Sequence, residues 1–226
     1  METNIKLDNP VWYALLEDQQ PFSIDYGSSR FYHPDYCPFG ASIHETDIAD
    51  SISIYSGLVD NFYFVGKRPC LPEDVILDHE LVCLQMVADQ FISIVADHSI
   101  ASIDPGMEPL LIDLVNLVQP GFFRRFTGRM GSYYGIWKEN QLLAVTGERM
   151  RMKGAVEVSA VVTHPEHTGK GYAKQLVAHT TNRILSMNCV PFLHVSATNA
   201  GAIALYEKLG YKTRRRMSFW KLMRVF

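Results

Sequence analysis

The chain has 226 residues, of which 47% are hydrophobic and 20% charged, and its formal net charge is −3. That profile belongs to a folded globular protein and excludes a disordered chain; no apolar run approaches the roughly 18–20 residues of a membrane helix. The near-neutral total hides a division: residues 1–120 carry 4 basic and 19 acidic side chains, a net of −15, whereas residues 121–226 carry 17 basic and 5 acidic, a net of +12. Such asymmetry fits either an anionic partner for the positive half or two lobes that neutralise each other.

Met1–Pro10 contains no apolar core of a secretory signal. The four cysteines, Cys37, Cys70, Cys83 and Cys189, show no CxxC spacing, which reads as reduced thiols and a cytoplasmic location. His164 and His167 lie three apart without further ligands at metal spacing, so no metal site is expected.

Residues 1–80 hold six of the 11 prolines and read as irregular. Within them, Val11–Leu16 suits a short helix and Ser51–Val65 a helix followed by a strand. From residue 81 the pattern becomes regular. Leu81–Ala88 is a short apolar run that suits a buried strand. Pro109–Val118 has helical spacing and is stopped by Pro120-Gly121. Ser132–Trp137 and Leu142–Arg149 read as a hairpin about a turn at 138–141, and Val156–Thr163 as a third strand. A helix over Gly171–Met187 carries Ala173, Leu176, Val177, Thr180 and Ile184 on one face. Pro191–Ala197 is a strand. Ala200–Leu209 is a helix with Asn199 as its N-cap and Gly210 just past its end. Tyr211–Leu222 is a last strand. The succession of strands and helices predicts an α/β or α+β sheet with helices on its faces.

The most informative stretch runs from Val161 to Lys174, VVTHPEHTGKGYAK. There a strand ends and a glycine-rich loop opens a long amphipathic helix. The first amides of a helix have no acceptors within it, and with the helix dipole they attract anions. Gly169 and Gly171 lack Cβ atoms, so a phosphate can approach the backbone. By itself this pattern is equally compatible with an ordinary helix start. It is not a P-loop, since GxxxxGK[ST] is absent, nor a dinucleotide fingerprint, since the third glycine is missing.

The segment Thr168-Gly169-Lys170-Gly171-Tyr172-Ala173 resembles the acetyl-CoA-binding motif of the GCN5-related N-acetyltransferase (GNAT) superfamily, Gln/Arg-x-x-Gly-x-Gly/Ala, with Thr168 replacing the usual first residue. Asn199 to Tyr211, NAGAIALYEKLGY, is similar to the superfamily's second signature, N-x-x-A-x-x-L-Y-x-x-L-G-F/Y. Glu157–Pro165 and Pro191–Val195 look most like the FR47-like branch. The resemblance covers about residues 80–226, and Pro10-Val11-Trp12 and Asp35–Phe39 look like the N-terminal extension of such proteins.

The resemblance implies a mixed, mostly antiparallel sheet flanked by helices, splayed where the cofactor enters. It divides the chain into an N-terminal α/β extension, 1–80, and an acetyltransferase domain, 81–226. It implies an enzyme that moves an acetyl group from acetyl-CoA to a primary amine by direct attack on the thioester, with a CoA-binding regulatory module without turnover as the alternative. The pantetheine arm would pair with the strand Val161-Val162-Thr163 by strand addition. Thr168 and the amides of Gly169, Gly171, Tyr172 and Ala173 would hold the pyrophosphate. Lys170 and Lys174 either add charge there or are solvated lysines. Asn199 would cap its helix and bond the cofactor arm. Tyr206 matches the superfamily's acid, or is a core aromatic. His194 and Glu157 are two candidates for the base; the alternatives are a hydrogen-bonded strand histidine and a carboxylate in an ion pair. Arg214-Arg215-Arg216 alternates faces in a strand and suits a solvated or cofactor-proximal edge better than nucleic acid. The expected partners are a small-molecule or peptide amine, with no nucleic acid and no membrane, and a homodimer is left open. The acidic half would then attract a cationic amine.

Overall fold

A computed structural model of the chain describes residues 2–44, 48–95 and 97–225. In chain order the helices are α1 (Glu2–Lys6), α2 (Pro10–Leu16), α3 (Ala49–Ser56), α4 (Glu108–Val118), α5 (Tyr172–Ser186) and α6 (Ala200–Lys208). The strands are β1 (Ser23–Asp25), β2 (Ser29–Tyr32), β3 (Phe39–Ser42), β4 (Asn61–Val65), β5 (Val75–Val87), β6 (Ile100–Ser102), β7 (Tyr133–Lys138), β8 (Gln141–Met152), β9 (Ala155–Thr163), β10 (Val190–Ser196) and β11 (Lys212–Arg224).

All 11 strands join one sheet in the order β1-β2-β3-β4-β11-β5-β10-β9-β8-β7-β6. Among the described residues only β3–β4 and β9–β10 run parallel, which is the mixed, mostly antiparallel sheet expected. The helix expected over Val11–Leu16 is α2, and the helix followed by a strand expected over Ser51–Val65 is α3 and β4; β1 to β3 correct the reading of residues 23–42 as irregular. β4 pairs with β11 from Phe219↔Val65 to Met223↔Asn61. β5 starts at Val75, so position 80 falls inside a strand.

Side-chain alternation sorts the core. Val156, Val158, Leu193 and Val195 face α5 and α6, meeting Val177, Ala178, Ile184, Tyr206 and Leu209. The intervening Ala155 and Phe192 face the opposite side with Val11 and Leu15 of α2, Phe39 and Phe219. α4 buries Leu111, Leu114 and Val115 against Val145, Ala160 and Val162.

Two irregularities interrupt the β8–β9 ladder. Val145 pairs with Val162 but Gly147 with Ser159, so β9 holds one extra residue; Ala160 there has φ of 51°. Glu148 pairs with Val158 but Arg151 with Val156, so Arg149 and Met150 together oppose Glu157. Both are bulges, which leave a residue outside the ladder and turn side chains to new directions.

Candidate active site

β9 and β10 pair only from Val190↔Ala155 to Phe192↔Glu157. Beyond that point β10 continues against β5, from Phe192↔Val87 to Ser196↔Cys83, and β9 continues against β8. The sheet therefore splits, and a cavity of about 480 Å³ fills the split. Val161, Ala173, His194, Asn199 and Tyr206 are among its lining residues, so five positions singled out in the sequence converge on one space.

The register also orients the free edge of β9. His164 donates its amide to the Leu143 carbonyl at 2.7 Å, and Thr163 lies opposite Ala144. In an antiparallel ladder the intervening residues turn their N–H and C=O groups the other way. Val161 and Thr163 thus point theirs into the split. Val162 is buried among the residues under α4.

At the end of β9 the turn Pro165–His167 leads into the glycine loop. Gly169 has φ of 76° and Gly171, the N-cap of α5, has φ of 75°. A Cβ added at either would meet nothing within 4 Å. The loop therefore forms an open cradle, and glycine is required by its left-handed backbone. Among the described residues, none accepts a hydrogen bond from the amides of Gly169, Lys170 or Gly171. Lys170 and Lys174 are exposed. Tyr172 contributes only backbone here; its ring is 7% exposed and packs with Tyr134, Ala144 and Leu176. The Thr168 hydroxyl donates to the Pro165 carbonyl at 3.3 Å, bracing the turn. His164, Glu166 and His167 bring three potential ligand atoms within 4.8 Å of one another, but the Lys170 ammonium lies 3.2 Å from His167 Nδ1, a charge that any cation there would face.

Glu157 and His194 meet. Glu157 is fully buried and Arg149 nearly so; the guanidinium contacts both carboxylate oxygens, Nε to Oε2 and Nη2 to Oε1, each at 2.8 Å. The Met150 amide adds a third donor at 3.4 Å. Burial pushes the Glu157 carboxyl up, but the charge and hydrogen bonds of Arg149, helped by His194, outweigh it and hold the group down at about 2. An ionised carboxylate only accepts, so His194 Nδ1–H donates to Glu157 Oε1 at 2.8 Å. The other ring nitrogen, Nε2, faces Gln85 Nε2 at 3.3 Å. That amide's orientation is fixed independently: its nitrogen donates to the Leu7 carbonyl at 2.8 Å and its oxygen accepts from Arg214 at 3.0 Å. In this arrangement Nδ1 is the donor toward Glu157 and Nε2 the acceptor from Gln85. Glu157 lies behind the cavity wall and His194 lines it.

The chain of contacts continues outward. Arg214 and Arg215 both reach Asp8 Oδ1 at 2.7 Å. Strict alternation would separate these neighbours, but the β5–β11 register slips between Thr213 and Arg215, and the two guanidinium groups converge. Arg149 and Gln85 were not found by sequence reasoning. A turn at 153–154 alone would set Met150 opposite Glu157, and only the bulge brings Arg149 there as well.

Tyr206 is 7% exposed and packs beside Tyr211 with ring centroids 6.0 Å apart; burial pushes its phenol up to about 12. Asn199 Oδ1 accepts from the Ala202 amide at 3.1 Å, the cap expected for α6. Cys83 also lines the cavity, and burial pushes its thiol up to about 12, so it stays a thiol at neutral pH. Among the described residues no helix is long and apolar enough to cross a membrane.

A family model described as FR47-like protein matches residues 133–220. The chain is 33% identical to a structure from Novosphingobium aromaticivorans described as an acetyltransferase of the GNAT family, over 97% of this chain and 99% of that one, with a TM-score of 0.90. The chain belongs to the GNAT family. More distant GNAT folds include a GCN5-related N-acetyltransferase-like protein from Streptococcus suis, 15% identical over 97% of both chains with a TM-score of 0.64. Another is a GCN5-related N-acetyltransferase from Kribbella flavida, 12% identical over 98% of this chain and 95% of that one, with a TM-score of 0.62. No curated protein matches the sequence. GNAT acetyltransferases use acetyl-CoA, and the split sheet with its open glycine cradle fits that group.

Proposed function

We propose that the protein transfers an acetyl group from acetyl-CoA to a primary amine by direct attack on the thioester. The observation that carries this reading is the single cavity that joins the free edge of β9, the N-terminus of α5, His194 and Tyr206. Acetyl-CoA, when bound, supplies the activated acyl group. Val161 and Thr163 pair with its amide-bearing arm, and the amides of Gly169, Gly171, Tyr172 and Ala173 hold its phosphates. The bulge at Ala160 leaves an unpaired residue in the cavity wall, and a backbone amide there suits an oxygen that gains charge.

The attacking amine has to be neutral. His194 is the member of the pair that reaches the cavity. Both its ring nitrogens are engaged, Nδ1 by Glu157 and Nε2 by the Gln85 N–H, so His194 takes the proton only on turning its Nε2 from Gln85 toward the cavity. A carboxyl held at about 2 is itself a poor base. Tyr206 carries a proton at any neutral pH and donates it to the departing thiolate. The residues before β5 serve as an extension of the catalytic unit; Phe39 from that extension lines the cavity.

The direct test follows CoA thiol release and acetylated product over a panel of amines. Release coupled to product supports the reading; bound acetyl-CoA with no transfer to any amine favours a regulatory module. A second test addresses the cradle. Gly171→Ala introduces no clash, so its effect comes from the left-handed backbone, a strain of about 1–2 kcal/mol for an L-residue. CoA affinity measured by calorimetry should fall about tenfold, with little change in the amine KM. Unchanged affinity would remove Gly171 from the phosphate site.

A further inference from the structure

Beyond the split, the cavity walls are largely aromatic and aliphatic, with Phe39, Leu81, Val115, Phe122, Phe123 and Phe219 beside the polar Gln119, Thr127 and Arg149. From this we infer that the acceptor is an arylalkylamine in chemical class, a primary amine on a flat apolar body without a second charge. The inference rests on the acetyl-transfer reading and specifies what that reading leaves open.

Three observations carry it. The first is charge. Among the described lining residues there is no aspartate or glutamate, although residues 1–120 hold 19 acidic side chains. An amine drawn in by the acidic half would thus meet a wall that itself carries no acidic side chain. An ammonium entering this space loses its hydration and finds no counter-ion, which is costly. The neutral amine enters without that cost and is also the form that attacks.

The second observation concerns the aromatic faces. A cluster of phenylalanines can hold a cation over its rings, which would suit a polyamine or a lysine. Here the Phe39 face already carries the Arg149 guanidinium, 4.6 Å from the ring centroid. A second cation meets an occupied face and a like charge.

The third is shape. Phe39 stands edge-on to Phe219 at 5.4 Å and to Phe122 at 6.3 Å, and Phe122 stacks on Tyr63 at 4.9 Å. Such walls present both edges and faces to a flat ring, the arrangement that aromatic pairs favour. A cavity of about 480 Å³, shared with the acetyl end of the donor, admits a small molecule and not a folded partner.

The test uses the full chain and four probe amines: phenethylamine, spermidine, free lysine and a peptide with a free N-terminus. Binding of each is read by thermal shift in the presence of CoA, and turnover by thiol release with acetyl-CoA. Phenethylamine is expected to exceed each of the others in kcat/KM by about tenfold or more, the equivalent of one good aromatic contact. Phe122→Ala should raise its KM by about tenfold while the acetyl-CoA KM moves little. Spermidine, lysine or the peptide as preferred substrate would overturn the inference and leave acetyl transfer standing. Phenethylamine that binds but is never acetylated, with no other amine turned over, supports the assigned pocket and overturns the transfer reading instead. No binding and no turnover of phenethylamine overturns the inference outright. The wild-type comparison stands even if Phe122→Ala does not fold.

Discussion

Glu157→Gln is expected to destabilise the protein by about 3–5 kcal/mol, the usual cost of removing one partner from a buried ion pair. Arg149 is held by both carboxylate oxygens of a fully buried Glu157. A glutamine keeps the size but leaves the guanidinium uncompensated and offers one oxygen where two were used. At about 2–4 °C per kcal/mol for a chain of this length, thermal melting should fall by roughly 6–20 °C. The comparison variant is Arg149→Met combined with Glu157→Leu. Removing both charges recovers much of the loss if the buried charge is its cause; equal instability in the single and double variants would show that packing matters more.

The same pair sets a pH dependence. The folded carboxyl is held at about 2, below its ordinary value near 4.5. The stabilisation is complete above pH 4.5, declines as the unfolded chain begins to bind protons, and is lost as pH falls through about 2. Denaturant melts between pH 6 and 2 should show this decline in the wild type. The part due to Glu157 should be absent from Glu157→Gln. Parallel curves for the two proteins would mean that other carboxyls govern acid unfolding.

Tyr206→Phe is expected to lower kcat by about 10²-fold or more, the lower range for loss of a positioned proton donor. The phenol lies on the cavity wall and burial takes it up to about 12, so at every pH where the protein is folded and assayed it remains a donor. Phenylalanine preserves the ring and its packing beside Tyr211, so the melting temperature and CoA affinity should change little. That split separates proton donation from a core role. A variant with full turnover would return Tyr206 to the second, and one with lost turnover and a collapsed melt would do the same.

From residue 132 onward, and at α2, α3, β4 and α4 before it, the fold was legible in the sequence, because most of these strands are alternating or apolar runs closed by a turn and most of the helices have a marked end. Asn199 is an example: its side chain makes the cap that its position suggested. β1, β2, β3 and β6 were not legible. They are three or four residues long, too short to show a period, and they form because neighbouring strands offer an edge. The first half of β5 was also hidden, since Asp78, His79 and Glu80 do not read as a strand until β11 lies beside them. The glycine cradle, Asn199 and Tyr206 sit in local motifs and could be read directly. The Arg149–Glu157–His194–Gln85 chain could not, because its members come from β8, β9, β10 and β5 and two bulges aim them. The aromatic wall likewise draws on β3, the segment after α4 and β11.

The placement of β11 between β4 and β5 also orders the protein's assembly in time. Trp220 and Gly66, 154 positions apart, are bonded across that seam. At a synthesis rate of about 5–20 residues per second, β4 waits roughly 8–30 s for its neighbour. During that interval Phe62, Tyr63 and Phe64 stand on an unpaired strand edge, the kind of surface that invites the wrong partner. A sheet closed by contacts this distant in sequence folds slowly, and this edge of β4 stays open until β11 arrives.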